Sequence, residues 1–201
     1  MTAQDDHFEA LYAASTDPWN VRDAWYEQRK RAVLLAALPE QRYACAFEPG
    51  CGNGEMTAAL APRCDRILAC DGSASAIAAA RQRVPAREGV AIEQRKLPQE
   101  WPADHATFDL IVISELAYYL PPDAWSAMVT RLVHSLAPGG LLAMCHSRHD
   151  FDDRLASTDD VHGAIHAVPG MTPVLHHLET DFLLDGWLRA SSSPGEPTCL
   201  A

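Results

Sequence analysis

Apolar residues recur along this chain with two periods, and the switching between them sets the expected architecture. Short apolar runs of strand length alternate with longer stretches of helical spacing. Ala44 to Phe47 reads as a buried strand ending near Glu48. Glu55 to Leu60 begins a helix that Pro62 ends. Arg66 to Cys70 is a second strand, closed by Asp71. An Ala-rich helix over Ser75 to Arg83 is stopped by Pro85, and Val90 to Glu93 is a short third strand. After Phe108-Asp109, the run Leu110 to Ile113 is continuously apolar, as in a sheet interior covered on both faces. Pro121-Pro122-Asp123 introduces a helix over Ala124 to Leu136. Pro138-Gly139-Gly140 makes a turn into a fifth strand, Leu141 to Cys145. The polar residues 147–157 read as a mobile loop. Asp159 to Val168 reads as a helix, and Val174 to Leu178 with Phe182 to Leu188 as an antiparallel hairpin.

Ahead of the first strand, Phe8, Leu11 and Tyr12 give a short helical pattern over residues 5–14, which Asp17-Pro18-Trp19-Asn20 breaks. A second helix is expected from Arg22 to Leu38. Trp25, Ala32, Leu35 and Ala36 mark its buried stripe, with Tyr26, Lys30 and Val33 on a neighbouring face. Trp19 is expected to be packed rather than exposed. The chain therefore divides into an N-terminal helical cap or lid (1–40), an α/β domain (41–190) and a flexible Ser/Pro/Gly-rich tail (191–201). The fold class is α/β, a doubly wound and mostly parallel sheet with an N-terminal helical segment and a C-terminal antiparallel hairpin.

Composition narrows the function. The 201 residues suit one α/β domain, and a formal charge of −11 argues against a phosphate-tracking surface, so no nucleic-acid partner is expected. The N-terminus lacks a basic secretory leader, and no run is long enough to span a membrane, which points to a cytoplasmic protein without a membrane partner. Six cysteines form no C-x-x-C pair, and nine histidines show no ligand spacing; no disulfide and no metal site is expected.

The candidate chemistry centres on residues 44–54, where a strand runs into Glu48-Pro49-Gly50-Cys51-Gly52-Asn53-Gly54. A tight glycine turn ahead of a helix lets backbone approach a ligand closely. A dinucleotide fingerprint needs a third glycine at position 55, where this chain has Glu55, and that disfavours a nicotinamide-dependent oxidoreductase. In a parallel α/β sheet the crevice lies at the strand C-termini, where Glu48, Asp71, Leu97, Ser114 and Glu115 fall.

These landmarks, with Asp71-Gly72-Ser73, Phe108-Asp109-Leu110-Ile111 and Leu136-Ala137-Pro138-Gly139-Gly140, resemble the class I S-adenosylmethionine (SAM)-dependent methyltransferases over residues 42–190. Asp17-Pro18-Trp19, Trp25-Tyr26-Glu27 and Ser114-Glu115-Leu116-Ala117-Tyr118-Tyr119-Leu120 narrow the likeness to the nodulation protein S family, with weaker support from Asp181-Phe182-Leu183-Leu184-Asp185. The resemblance implies a Rossmann-like fold, SAM as cofactor and S-adenosylhomocysteine (SAH) as product. It implies a small-molecule or glycan acceptor, preferably the amine of an amino sugar or deacetylated oligosaccharide. O-methylation and non-catalytic SAM binding stand as alternatives. It places Gly50, Cys51, Gly52 and Gly54 around the methionine part, with Glu48 toward its ammonium. Asp71, with Gly72 and Ser73, falls to the ribose, Leu97 to the adenine, and Ser114 to the cofactor side of the fourth strand. Trp19, Tyr26 and Lys30 would close over the cofactor, Lys30 near its carboxylate. Glu115 is the candidate catalytic residue, able to hold an acceptor ammonium or pass its proton to water. Tyr118, Tyr119 and His146 are candidates for the acceptor pocket, although solvated loop positions are the simpler expectation for His146 and His149. Lys96 stands where related enzymes carry an acid that receives the adenine amino group, and a lysine cannot accept that bond.

Overall fold

The computed structural model describes residues 3–102 and 107–191, without the side chains of residues 3 and 5. Six helices and seven strands follow in the order α1 (Ala3–Ala14), α2 (Trp25–Ala37), β1 (Tyr43–Pro49), α3 (Glu55–Leu60), β2 (Cys64–Asp71), α4 (Ala74–Arg83), β3 (Val90–Gln94), β4 (Phe108–Ser114), α5 (Pro122–Ser135), β5 (Leu136–Ser147), α6 (Thr158–His166), β6 (Met171–Leu178) and β7 (Phe182–Arg189). They form one sheet in the order β3-β2-β1-β4-β5-β7-β6. The first five strands run parallel, and β7 pairs antiparallel with both β5 and β6. The strand order reverses between β1 and β4, and such a switch point opens a crevice at the strand C-termini. This is the doubly wound sheet with a closing hairpin that the periodicity predicts, and the Rossmann-like fold that the resemblance implies.

Both faces of the central strands are covered, which explains their unbroken apolar runs. Ile111 and Ile113 of β4 pack with Phe47, Met128, Leu132 and Trp187 on one face. Leu110 and Val112 pack with Leu34, Ile67, Phe182 and Leu184 on the other. The acid of Phe108-Asp109 has a structural task. Its carboxylate accepts from the N–H groups of Ala44 (2.6 Å) and Cys45 (2.9 Å), tying the start of β1 to β4.

Four expectations need correction. Helix α2 starts at Trp25, three residues later than the pattern suggests, and its buried stripe is not the one expected. Trp25 is 74% exposed, Ala32 and Ala36 are exposed, and the inward line passes through Lys30 and Leu34. The lysine hides this line from a hydrophobicity count, because its burial depends on Glu27 one turn away and on Glu115, distant in sequence. Trp19 is 42% exposed, although its ring meets Tyr12 and Phe8. The Pro138-Gly139-Gly140 segment is an irregularity inside β5 rather than a turn before it, with Phe108–Leu110 facing Leu136–Leu141. A 3-10 turn at Ala117–Tyr119, too short to leave a period, follows β4.

The tail from residue 192 onward, with Cys199, lies outside the described residues. The other five cysteines are free. Among the described residues no helix is long and apolar enough to cross a membrane, and no group of side chains could hold a metal ion.

Candidate active site

A cavity of about 460 Å³ opens at the C-terminal ends of β1, β2 and β4, beneath α1 and the start of α2. Its two halves are built differently.

The glycine-loop half is mostly main chain. The N–H groups of Gly50 and Cys51 both donate to the Cys70 carbonyl, at 2.8 and 2.9 Å, pinning the loop to the end of β2. Gly50 and Gly52 have φ of +74° and +52°, in the left-handed region that favours glycine. A Cβ at Gly50 would come within 2.8 Å of Leu116, and one at Gly52 would collide with the Tyr12 hydroxyl, so only glycine lets this cradle pack against those two side chains on the cavity wall. Asp71 closes it. One oxygen accepts from Gly52 N–H at 3.0 Å and the other from Ser73 N–H at 2.9 Å. Each oxygen keeps a lone pair for a hydroxyl donor. Burial raises the Asp71 carboxyl above its ordinary pKa, against those two bonds. Glu48, also buried on the cavity wall, accepts from the Thr57 hydroxyl at 2.7 Å. Burial pushes its pKa up to about 8. It is a group whose charge a cation beside it would restore.

The carboxylate half is made of side chains from distant parts of the chain. Glu115 sits just past β4 at φ +55°, in the left-handed region that costs a non-glycine residue on the order of 1 kcal/mol or more. Its contacts hold it there. One oxygen accepts from Lys30 Nζ at 2.7 Å and from Ser147 N–H at 2.9 Å, and the other from the Tyr118 hydroxyl. Lys30, 2% exposed, also donates to Glu27 at 3.0 Å. Burial lowers the Lys30 pKa, but the two carboxylates outweigh it and hold the ammonium above its usual range. Burial raises the Glu115 pKa against the pull of Lys30. Tyr119 and Phe151 extend the wall with their rings, and Asp153 adds a third carboxylate.

The N-terminal segment covers both halves. Glu9 of α1 accepts from the hydroxyls of Ser73 (2.7 Å) and Ser75 (2.6 Å) at the start of α4. Phe8 meets Tyr119 edge-on. Glu55, buried at the head of α3, receives Arg22 at 2.8 Å and Arg83 at 2.5 Å. The residue that breaks the dinucleotide fingerprint thus anchors the cover to the sheet domain.

The cavity gathers Trp19, Tyr26, Lys30, Glu48, Gly50, Cys51, Gly52, Asp71, Gly72, Ser73, Leu97, Ser114, Glu115, Tyr118 and Tyr119 on its wall. Two candidates lie elsewhere. Gly54 heads α3, where a Cβ would come within 3.0 Å of Ala80, so it serves helix packing. His146 is neither on the wall nor in a solvated loop. It is fully buried on β5, behind the turn that carries Tyr118. His149 is exposed, as expected of a loop residue. Lys30 is bound to Glu115 and Glu27, a pairing the sequence reading did not foresee. Near Leu97, the Lys96 N–H is engaged by the Glu100 carboxylate at 2.8 Å. Sequence reasoning missed Glu27, Phe151, Asp153 and the site role of Phe8 and Tyr12. The Phe8/Tyr12 spacing on one helix face and the i,i+3 spacing of Glu27 and Lys30 were signals available for three of these.

A family model described as a methyltransferase domain matches residues 46–140. Nodulation protein S of Bradyrhizobium diazoefficiens is 30% identical over 155 residues, covering 75% of this chain and 73% of that protein. Nodulation protein S of Rhizobium tropici is 35% identical over 139 residues, 67% of this chain; the match spans 57% of that protein's length. A trans-aconitate 2-methyltransferase of Azoarcus is 34% identical over 59% of this chain and 46% of its own. Among solved structures, the N-methyltransferase NodS of Bradyrhizobium japonicum, in complex with SAH, superposes with a TM-score of 0.82 at 26% identity, covering 94% of this chain and 99% of that one.

Proposed function

Because the chain belongs to the methyltransferase family that includes nodulation protein S, we propose that it transfers a methyl group from SAM to the amine of a small molecule, an amino sugar or deacetylated oligosaccharide. One observation carries the reading: a single cavity joins a glycine cradle closed by Asp71 to an acidic, aromatic wall around Glu115. SAM supplies a methyl group already activated on a sulfonium.

The cradle fits that cofactor. The open lone pairs of Asp71 suit two ribose hydroxyls, and the main chain of Gly50 to Gly52 beside it on the wall suits the amino-acid part. Glu48 suits an ammonium, whose charge would draw its proton off. On the other wall Glu27, Glu115 and Asp153 suit a cationic acceptor, and Tyr119 and Phe151 offer flat apolar surface to its body. An amine must lose its proton to become a nucleophile. Glu115 has one lone pair uncommitted and a raised pKa, a combination that serves to receive that proton or orient the neutral amine. A carboxylate acceptor, as the trans-aconitate relatives' name describes, would meet three acids there, and Lys30 is already neutralised.

Calorimetry with SAH and NAD, followed by transfer of labelled methyl from SAM, tests the reading. SAH should bind and NAD should not. Label should pass to glucosamine oligomers and not to their N-acetylated forms. Transfer to trans-aconitate instead would replace the amine by a carboxylate, and absence of SAH binding would remove the whole reading.

A further inference from the structure

Behind the carboxylate half runs a line of polar groups for which the proposed chemistry has no use. His146 of β5, His162 of α6 and Asp185 of β7 are 0%, 1% and 1% exposed. The Ala117 N–H, in the 3-10 turn after β4, donates to His146 Nε2 at 3.1 Å. His146 Nδ1 lies 3.0 Å from His162 Nε2, and His162 Nδ1 lies 2.7 Å from one oxygen of Asp185. The other Asp185 oxygen meets His176 Nδ1, at 2.7 Å, on the exposed side of β6. Buried polar groups at this cost need a reason.

The donors and acceptors admit one consistent assignment. The Ala117 amide can only donate, so His146 Nε2 carries no proton. His146 is neutral, burial holding its pKa well below the ordinary value, so its proton sits on Nδ1 and is donated to His162 Nε2. His162 then carries its proton on Nδ1 and donates it to Asp185. The histidines beside Asp185 and their bonds hold that carboxyl below its usual pKa in spite of burial. The carboxylate at one end thus dictates which nitrogen faces the backbone at the other.

We infer that Asp185, His162 and His146 are positioning residues, a tautomer-locked chain that fixes the turn carrying Glu115, Tyr118 and Tyr119 against the acceptor side of the cavity. The functional part rests on the methyltransferase reading; the chain itself does not. The turn is also held by the bonds of Glu115 to Lys30 and Ser147 and by the burial of Ala117 and Tyr118. Its other main-chain bonds are Glu115 N–H to the Cys145 carbonyl, those of Leu155 and Ala156 to the Tyr118 carbonyl, and its own two 3-10 bonds. The edge of the Tyr118 ring meets His146, with centroids 5.0 Å apart, so the imidazole also sets the ring that bonds Glu115.

Asp185→Leu is the discriminating variant, with Asp185→Asn as its conservative partner. Leucine takes the acceptor away from His162 Nδ1–H, so nothing fixes the tautomers of the histidine pair, whereas the asparagine oxygen keeps accepting from Nδ1 while its amide faces His176. Imidazole ¹⁵N spectra of the wild-type protein should show His146 protonated on Nδ1 and bare on Nε2. In Asp185→Leu the His146 Nε2 signal should move toward the protonated position, and in Asp185→Asn it should stay. The Ala117 amide of Asp185→Leu should exchange with solvent roughly 10- to 100-fold faster, the loss of one buried hydrogen bond. SAH affinity should stay within about twofold, since the cradle is untouched. These readouts need no acceptor, so they stand even if the amine assignment fails. Wild-type His146 protonated on Nε2 overturns the inference without any variant. So does an Asp185→Leu protein whose Ala117 exchange is unchanged, or one that loses SAH affinity in step with Ala117 protection, which would mark general loosening.

Discussion

The two halves of the cavity obey different rules. The glycine-loop half is built from residues 48–54 and 70–73, contiguous stretches whose main-chain bonds set the geometry. The carboxylate half draws Lys30 from α2, Glu115 from the end of β4, Ser147 from β5 and, behind them, residues of α6 and β7. One half is a shape that the backbone makes almost alone. The other is an electrostatic assembly that exists only after the sheet has closed. A cofactor shared by many enzymes suits the first. An acceptor peculiar to one enzyme suits the second, because changing a single distant side chain changes it.

Substitutions that strike one half and spare the other sharpen this contrast. The largest effect is expected from Glu115→Gln, which should lower kcat/KM by roughly 10²–10⁴-fold if the carboxylate takes the acceptor proton. SAH affinity, titrated on the same preparation, should hardly move. Wild-type turnover in this variant would leave Glu115 a structural hub for Lys30 and Tyr118.

Asp71→Ala reverses the pattern. It should weaken SAH by about 1.5–3 kcal/mol for each charge-assisted bond lost, with the fold retained by circular dichroism. Unaltered affinity would remove Asp71 from the ribose.

Glu48 gives a smaller effect and a clear sign. Its pKa is about 8 in the folded, cofactor-free protein, against an ordinary value of 4.5. Its contribution to stability is therefore fully present below about pH 4.5 and is lost as pH rises through 8, with a slope of at most ~1.4 kcal/mol per pH unit. Glu48→Gln mimics the protonated acid. Thermal melts from pH 5 to 9 should show that slope flattened and the variant the more stable protein at pH 9. An unchanged slope would place the titration elsewhere.

The smallest effect concerns the cover. Hydrogen exchange in α1 and on to Lys30 should slow a few-fold when SAH is added. Equal protection with and without it would make the segment a fixed cap.

The same contrast explains what the sequence disclosed. The parallel sheet, the hairpin and the Glu48–Gly54 and Asp71 landmarks were readable because period and turn chemistry are local properties. The inward line of α2 was not, since Lys30 counts as polar until Glu27 and Glu115 meet it. His146 looked like a loop residue because β5 continues to Ser147, held there by its pairing with β7 rather than by its own residues. The 3-10 turn at Ala117–Tyr119 leaves no periodic trace, yet it hangs from an imidazole on another strand. Gly54 matched the motif by spacing, but its partner is Ala80, on the next crossover helix.

Glu55 carries one more consequence. It faces two arginines of unequal exposure: Arg22 has 54% of its side chain open to water and Arg83 has 37%, while Glu55 itself is buried. Dissolved ions screen an exposed charge far more than a sheltered one, and at 1 M salt the screening distance is only about 3 Å. Rising ionic strength should therefore loosen the Arg22 contact of the cover, ahead of α2, before the Glu55–Arg83 pair that joins α3 and α4.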